Sequence, residues 1–157
     1  MKTVKDIMST AFHTLSPDMP IAEAVRVFKS ASLAERRTIF GMMVMDTRQT
    51  LVGILSMYDI LLALQPKHIH IWGEMKDIDL DGLVDSACQR SRSVLVGDIM
   101  STDIITVPVD AHLFMVLEIM NKKHIRRLPV LDEDRVVGMV YISDLFHHLL
   151  ERLHDTA

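Results

Sequence analysis

Two amphipathic stripes, 92 positions apart, organise this chain. Ile21, Ala24, Val25 and Phe28 recur at the i, i+3, i+4, i+7 spacing of one helix face, and Leu113, Val116, Leu117 and Met120 repeat it. A short extended run precedes each stripe, Phe12 to Leu15 in one place and Ile104 to Val107 in the other. A polar break then offers Asp18 or Asp110 as the helix N-cap. Beyond each stripe come two apolar runs joined by a short polar turn, the pattern of a hairpin. These are Ile39 to Met45 with Leu51 to Leu55, and His124 to Asp132 with Val136 to Val140. A helix closes each copy, at Met57 to Leu64 and at Ile142 to about Leu153. The order strand, helix, strand, strand, helix is therefore predicted twice.

A shared heptapeptide makes the duplication explicit. Val4-Lys5-Asp6-Ile7-Met8-Ser9-Thr10 returns as Val96-Gly97-Asp98-Ile99-Met100-Ser101-Thr102, with six of the seven residues identical. Repetition at a fixed offset over this length marks a repeated structural unit. The offset falls to 85 at Gly53 and Gly138, so the first copy carries seven extra residues. We read residues 1–64 and 96–157 as the two units and 65–95 as a partly helical linker. Within the linker, Leu80, Leu83, Val84, Ala87 and Cys88 keep helical spacing, and Trp72 is the only tryptophan.

Composition narrows the function. With 157 residues, 49% hydrophobic and 24% charged, the chain can bury a core and is not of disordered type. Its formal net charge of −4 lacks the basic excess of a nucleic-acid binder, so no nucleic-acid partner is expected. The single cysteine, Cys88, excludes an intramolecular disulfide and fits a reducing compartment. No run approaches the ~18 apolar residues of a membrane span, and the polar start lacks a signal-peptide core. A soluble, cytoplasmic protein without a membrane partner is expected. The 12 methionines read mainly as core filler.

The candidate chemistry is sparse. In Gly53-Ile54-Leu55-Ser56-Met57-Tyr58-Asp59, a strand ends on a hydroxyl and a helix begins, with a carboxylate three residues in. Ser56 and Asp59 approximate a capping box. The same arrangement also suits a nucleotide, because a helix start favours phosphate and a carboxylate there can accept from ribose hydroxyls. The second copy, Gly138 to Asp144, keeps Asp144 but has Tyr141 in place of Ser56. Arg126-Arg127-Leu128-Pro129 puts a basic pair and a proline at a strand entrance, suited to forked hydrogen bonds with phosphate; the alternative is a solvated basic pair. The first copy has Phe40-Gly41-Met42-Met43 there.

Other motifs carry less. Asp77-Ile78-Asp79-Leu80-Asp81-Gly82 imitates the opening of a calcium loop, but the position that needs a bidentate Glu is Cys88, so an acidic turn before a helix is expected. The eight histidines, including His68, His70, His147 and His148, match no zinc spacing, and no metal site is predicted. There is no nucleophile elbow, phosphate loop or catalytic dyad, so the chain reads as a non-enzyme with no required cofactor.

These features together resemble the CBS domain (named for cystathionine β-synthase), in the tandem pair called a Bateman module. The heptapeptides, the strand starts at Thr14 and Thr106, Arg126 to Asp132, and the stretches Gly53–Asp59 and Gly138–Asp144 carry the likeness. It implies an α/β (α+β) fold of two β-α-β-β-α units related by a pseudo-twofold, with their sheets packed together and ligand clefts between them. It implies an adenosine-type ligand, AMP, ADP, ATP or S-adenosylmethionine, homodimerisation, and transmission of ligand occupancy to a protein partner of unknown identity. Carried over by motif, Ser56 with Asp59, and Asp144, would hold ribose. Backbone near Thr14, Thr106, Pro129 and Val130 would frame adenine, and Arg126 and Arg127 would face phosphates. The departures at Tyr141 and at Phe40–Met43 imply unequal sites. The alternative is a ligand-free scaffold or dimerisation module with degenerate clefts.

Overall fold

A computed structural model describes residues 2–65 and 80–155. His68, His70, Trp72 and the first half of the acidic turn at 77–82 lie outside the described residues. The elements run β1 (Thr14–Leu15), α1 (Ile21–Glu35), β2 (Gly41–Met45), β3 (Leu51–Ser56), α2 (Met57–Leu64), α3 (Leu80–Ser91), α4 (Val96–Ile99), β4 (Val107–Pro108), α5 (Leu113–Lys123), β5 (Arg127–Asp132), β6 (Arg135–Tyr141) and α6 (Ile142–Asp155). A 3-10 turn at Val4–Asp6 precedes them. The strands form two three-stranded sheets, in the orders β1-β2-β3 and β4-β5-β6. The fold is the mixed α+β arrangement that the repeated pattern predicts.

The chain divides into two compact units, and they are not cut where the sequence repeats begin. One comprises Met1–Phe12, Arg48–Leu51 and Asp103–Ala157; the other comprises His13–Thr47 and Val52–Thr102. We call these the C-unit and the N-unit after the sheet each contains. Each sheet is completed by the heptapeptide that precedes the other sheet in sequence. In the C-unit, Ser9 and Met139 exchange both backbone hydrogen bonds (2.8 and 2.9 Å), and the Val4 N–H donates to the Ala111 carbonyl (2.8 Å). In the N-unit, Ser101 and Ile54 exchange the same pair (both 2.9 Å), and the Val96 N–H donates to the Met19 carbonyl (2.8 Å). Val4 and Val96 are fully buried.

Two glycines admit these heptapeptides. A Cβ at Gly138 would run into the Met8 side chain and lie 3.0 Å from the Ser9 carbonyl oxygen. A Cβ at Gly53 would meet Met100 and Ser101 in the same way. The one difference between the heptapeptides also has a local reason. A Cβ at Gly97 would come 3.1 Å from the Pro17 carbonyl oxygen, to which the Gly97 N–H donates (2.8 Å).

The cores follow the predicted stripes with small corrections. Ile21, Ala24, Phe28 and Ala31 of α1 are buried on Leu15, Met42, Val44 and Leu55, whereas Val25 is 47% exposed. Leu113, Val116 and Met120 of α5 are buried with Val107, Leu128, Val130, Val140 and Leu145. Neither aspartate caps its helix. Helix α1 has Pro20 as N-cap, because Pro20 holds an extended φ of −68° immediately before Ile21. Helix α5 is capped by His112, whose Nδ1 accepts the Phe114 N–H (3.1 Å).

The extra residues of the first copy fall mostly in α1, which has 15 residues against 11 in α5. Four residues are close to one helical turn, so the apolar face keeps its direction. Both helices stop on a left-handed residue, Arg36 (φ 56°) and His124 (φ 53°). The β5–β6 hairpin turns on Glu133 and Asp134, both at positive φ (47° and 69°), as a two-residue loop requires.

Candidate functional site

The same construction occurs once in each unit. In the N-unit, β1 runs parallel to β2 with Thr14 opposite Met43. Helix α2 starts directly from β3, and the Met57 N–H donates to the Phe40 carbonyl (2.8 Å), just ahead of β2. The start of β1, the start of β2 and the first turn of α2 thus share one end of the sheet. In the C-unit, Val107 lies opposite Val130, which places Thr106 beside Pro129. The Ile142 N–H donates to the Arg126 carbonyl (2.8 Å), and Arg127 pairs with Tyr141.

The candidate residues therefore fall into two groups. Thr14, Ser56 and Asp59 belong to the N-unit; Thr106, Arg126, Arg127, Pro129, Val130 and Asp144 belong to the C-unit. Asp59 and Asp144 each occupy the third position of their helix.

Their local chemistry differs. In the N-unit the capping box is complete: the Asp59 N–H donates to Ser56 Oγ (3.1 Å), and the Ser56 N–H donates to Asp59 Oδ2 (2.8 Å). Asp59 thus has a structural duty whatever else it binds. In the C-unit Tyr141 replaces the hydroxyl cap, and Asp144 is half-buried in the first turn of α6. Arg126 is exposed, Arg127 is half-buried with its Nε shielded from solvent, and Leu128, Pro129 and Val130 are buried.

Pro129 is the third residue of the middle strand rather than its entrance. It is tolerated because β4 begins only opposite Val130, so the parallel ladder on that side has not started. Thr14 and Thr106 are half-buried, Thr14 as the first residue of the two-residue β1 and Thr106 just ahead of the two-residue β4. The carbonyls of Phe40 and Arg126, which anchor the two helix starts, carry no sequence signal, since any residue supplies a carbonyl. Among the described residues, no group of three or more His, Cys, Asp and Glu is placed to hold a metal. No described helix is long and apolar enough to cross a membrane.

The CBS-domain family model matches residues 4–66 and 96–151, covering both repeats with their heptapeptides. The chain belongs to the CBS-domain family. It carries two CBS domains in tandem, as the duplication predicts. It is 28% identical over 145 residues to the CBS domain-containing protein YhcV of Bacillus subtilis, covering 92% of this chain and 84% of that protein. The CBS-pair protein CBSX2 of Arabidopsis thaliana superposes with a TM-score of 0.72 at 24% identity, over 97% of this chain and 96% of that one. CBSX2 has also been solved in complex with AMP, where the TM-score is 0.67. The cytosolic domain of the Mg2+ channel MgtE, solved with ATP, gives a TM-score of 0.66 at 23% identity over 90% of this chain and 46% of that one. At these identities the structures establish the fold of the CBS pair.

Proposed function

We propose that this CBS pair is a cytoplasmic, non-enzymatic regulatory module that binds an adenosine-containing ligand and passes its occupancy to an assembly or a protein partner. The observation that supports it most is the repeated construction of a helix start against a strand entrance, with an aspartate at the third helical position in both units. AMP in CBSX2 and ATP in MgtE support the ligand class. In this reading Ser56 with Asp59, and Asp144, take ribose hydroxyls. Thr14, Thr106, Pro129 and Val130 lie by the base, and Arg126 and Arg127 meet phosphates. The repeats 1–64 and 96–157 are the functional halves, joined by 65–95. Arg126 and Arg127 stand at the entrance of β5, where the first copy has Phe40 and Gly41 at β2, which gives the C-unit group the stronger claim to a phosphorylated ligand, so the two sites are unequal.

Homodimerisation belongs to the same proposal. Exposed apolar side chains support it: Tyr58, Leu61 and Leu62 on α2, and Phe146, Leu150 and Leu153 on α6. Regulation follows if ligand binds one packing more tightly than another.

A thermal-shift and calorimetric panel of AMP, ADP, ATP and S-adenosylmethionine tests the ligand, because any ligand of the folded state raises the melting temperature. One member is expected to bind, and Arg126→Ala with Arg127→Ala is expected to weaken a phosphorylated ligand more than adenosine. No shift at millimolar concentrations of all four favours the scaffold reading, to which the lost motifs Tyr141 and Phe40–Met43 point. Turnover of a bound nucleotide would contradict a non-enzymatic role.

A further inference from the structure

The C-unit carries an apolar groove of about 520 Å³, lined by Leu113, Phe114, Leu117 and Leu149, with Lys2, His112, His148 and Arg152 around it. It lies along the start of α5 and the second half of α6, away from the first turn of α6 that holds Asp144.

The N-unit shows what covers the equivalent surface. With the offsets of 92 and 85, Leu113, Phe114, His148 and Leu149 correspond to Ile21, Ala22, Ala63 and Leu64. Helix α3 packs against that surface. Ser91 Oγ donates to the Ala63 carbonyl (3.3 Å), and the Ala22 N–H donates to the Arg92 carbonyl (3.3 Å). Among the described side chains of α3, Leu83, Ala87 and Ser91 are the half-buried and buried ones, one stripe at i, i+4, i+8. The chain then joins the heptapeptide through a bridge between Pro20 and Leu95, matched in the C-unit by one between Thr3 and His112. No described helix occupies the place of α3 in the C-unit. There the flanking helix is longer, 14 residues against 8 in α2.

We propose that the C-unit groove is a docking site for an acidic amphipathic helix of a partner protein, seated as α3 is seated in the N-unit. The fold supplies the shape: a slot between two helices that takes a third with a narrow apolar stripe. Charge supplies the sign. Lys2 and Arg152 flank the groove, and its described lining contains no acidic side chain; α3 itself carries exposed Asp81 and Asp85 in its first half and exposed Arg90 in its last turn. Phe114, 70% exposed and stacked on His112 (ring centroids 5.4 Å apart), stands at the groove as an aromatic anchor. This proposal does not rest on adenosine binding.

The probe is a synthetic peptide with the sequence of residues 80–91 carrying Arg90→Gln, which leaves Asp81 and Asp85 as its only charged side chains, titrated into the full-length protein and followed by amide chemical shifts. Shifts confined to 112–117 and 148–153 are expected. Phe114→Glu should weaken the peptide about tenfold or more, and Lys2→Glu should weaken it and reduce the salt dependence. Phe114 and Lys2 are exposed, so both variants should keep the wild-type circular dichroism. Absence of shifts at millimolar peptide would overturn the proposal. So would equal binding of a peptide with Asp81 and Asp85 changed to Lys. Sedimentation distinguishes self-association: a wild-type dimer made monomeric by Phe114→Glu would assign the groove to a second copy instead.

Discussion

The two units are built from one repeat, yet they differ on one flank. The N-unit covers the surface beside α1 and α2 with α3, while the C-unit leaves the corresponding surface as a groove between α5 and α6. The central pattern of sheet, helix start and docked heptapeptide is nearly identical in both. The core and the heptapeptide thus set the shared fold, and the flank is where the copies have separated in role. The candidate ligand groups diverge too, since the N-unit keeps the hydroxyl cap and the C-unit has the arginine pair.

The largest effect should come from the cores, where the units ought to respond differently. Leu128 in the C-unit is fully buried, and its counterpart Met42 is 2% exposed in a core cluster against which Met19, Met57 and Met100 pack. Leu128→Ala is expected to cost about 2–5 kcal/mol in chemical denaturation. Met42→Ala should fall at the low end of that range, because flexible methionines fill part of the space. Equal losses would remove this contrast.

The heptapeptide seats should come next and should not distinguish the units. Gly53→Ala and Gly138→Ala each place a Cβ against a methionine and a carbonyl, and each should destabilise by about 1–3 kcal/mol. A neutral result for one would show that its heptapeptide docks loosely.

The helix starts sharpen the comparison at smaller scale. Asp59→Ala removes one half of a capping box and should cost about 1 kcal/mol of stability. If it also holds ribose, ligand affinity should fall by about 1–3 kcal/mol. Asp59→Asn keeps an acceptor for the Ser56 N–H, so comparing the two variants separates cap from ligand.

The smallest effect belongs to Glu118 and Lys122, an exposed pair one turn apart on α5 (2.8 Å). The hydrogen bond and charge of Lys122 lower the Glu118 pKa, and Glu118 raises that of Lys122. The Glu118 contribution is present above its ordinary pKa and is lost as pH falls through the lowered value. The Lys122 contribution is present below its ordinary pKa and is lost as pH rises through the raised one. Solvent screens the pair, so Glu118→Gln should leave the neutral-pH melting temperature within error.

Much of this architecture was legible in residue order. The helical stripes, the hairpins, the start of α2 at Met57 and the family itself follow from periodicity and repetition. The N-caps were misread because Pro20 and His112 act through backbone angle and a ring nitrogen, which the Asp-before-stripe pattern does not encode. The partnership of each heptapeptide with the sheet of the other copy was invisible as well. Identical segments fit either sheet by pattern, and only long-range pairing decides between them. The groove was hidden for a related reason: Leu117 reads as core by spacing, and its half-exposure follows from the lack of a described covering helix.

The crossed heptapeptides have a consequence for synthesis. A ribosome that has just released Leu64 has delivered the sheet of the N-unit without the segment that finishes it, which emerges only with residues 96–102. Meanwhile residues 4–10 wait, already made, for a sheet that comes last. Neither half matures in the order it is translated, and a gene severed between the repeats would encode two fragments that each lack a piece held by the other.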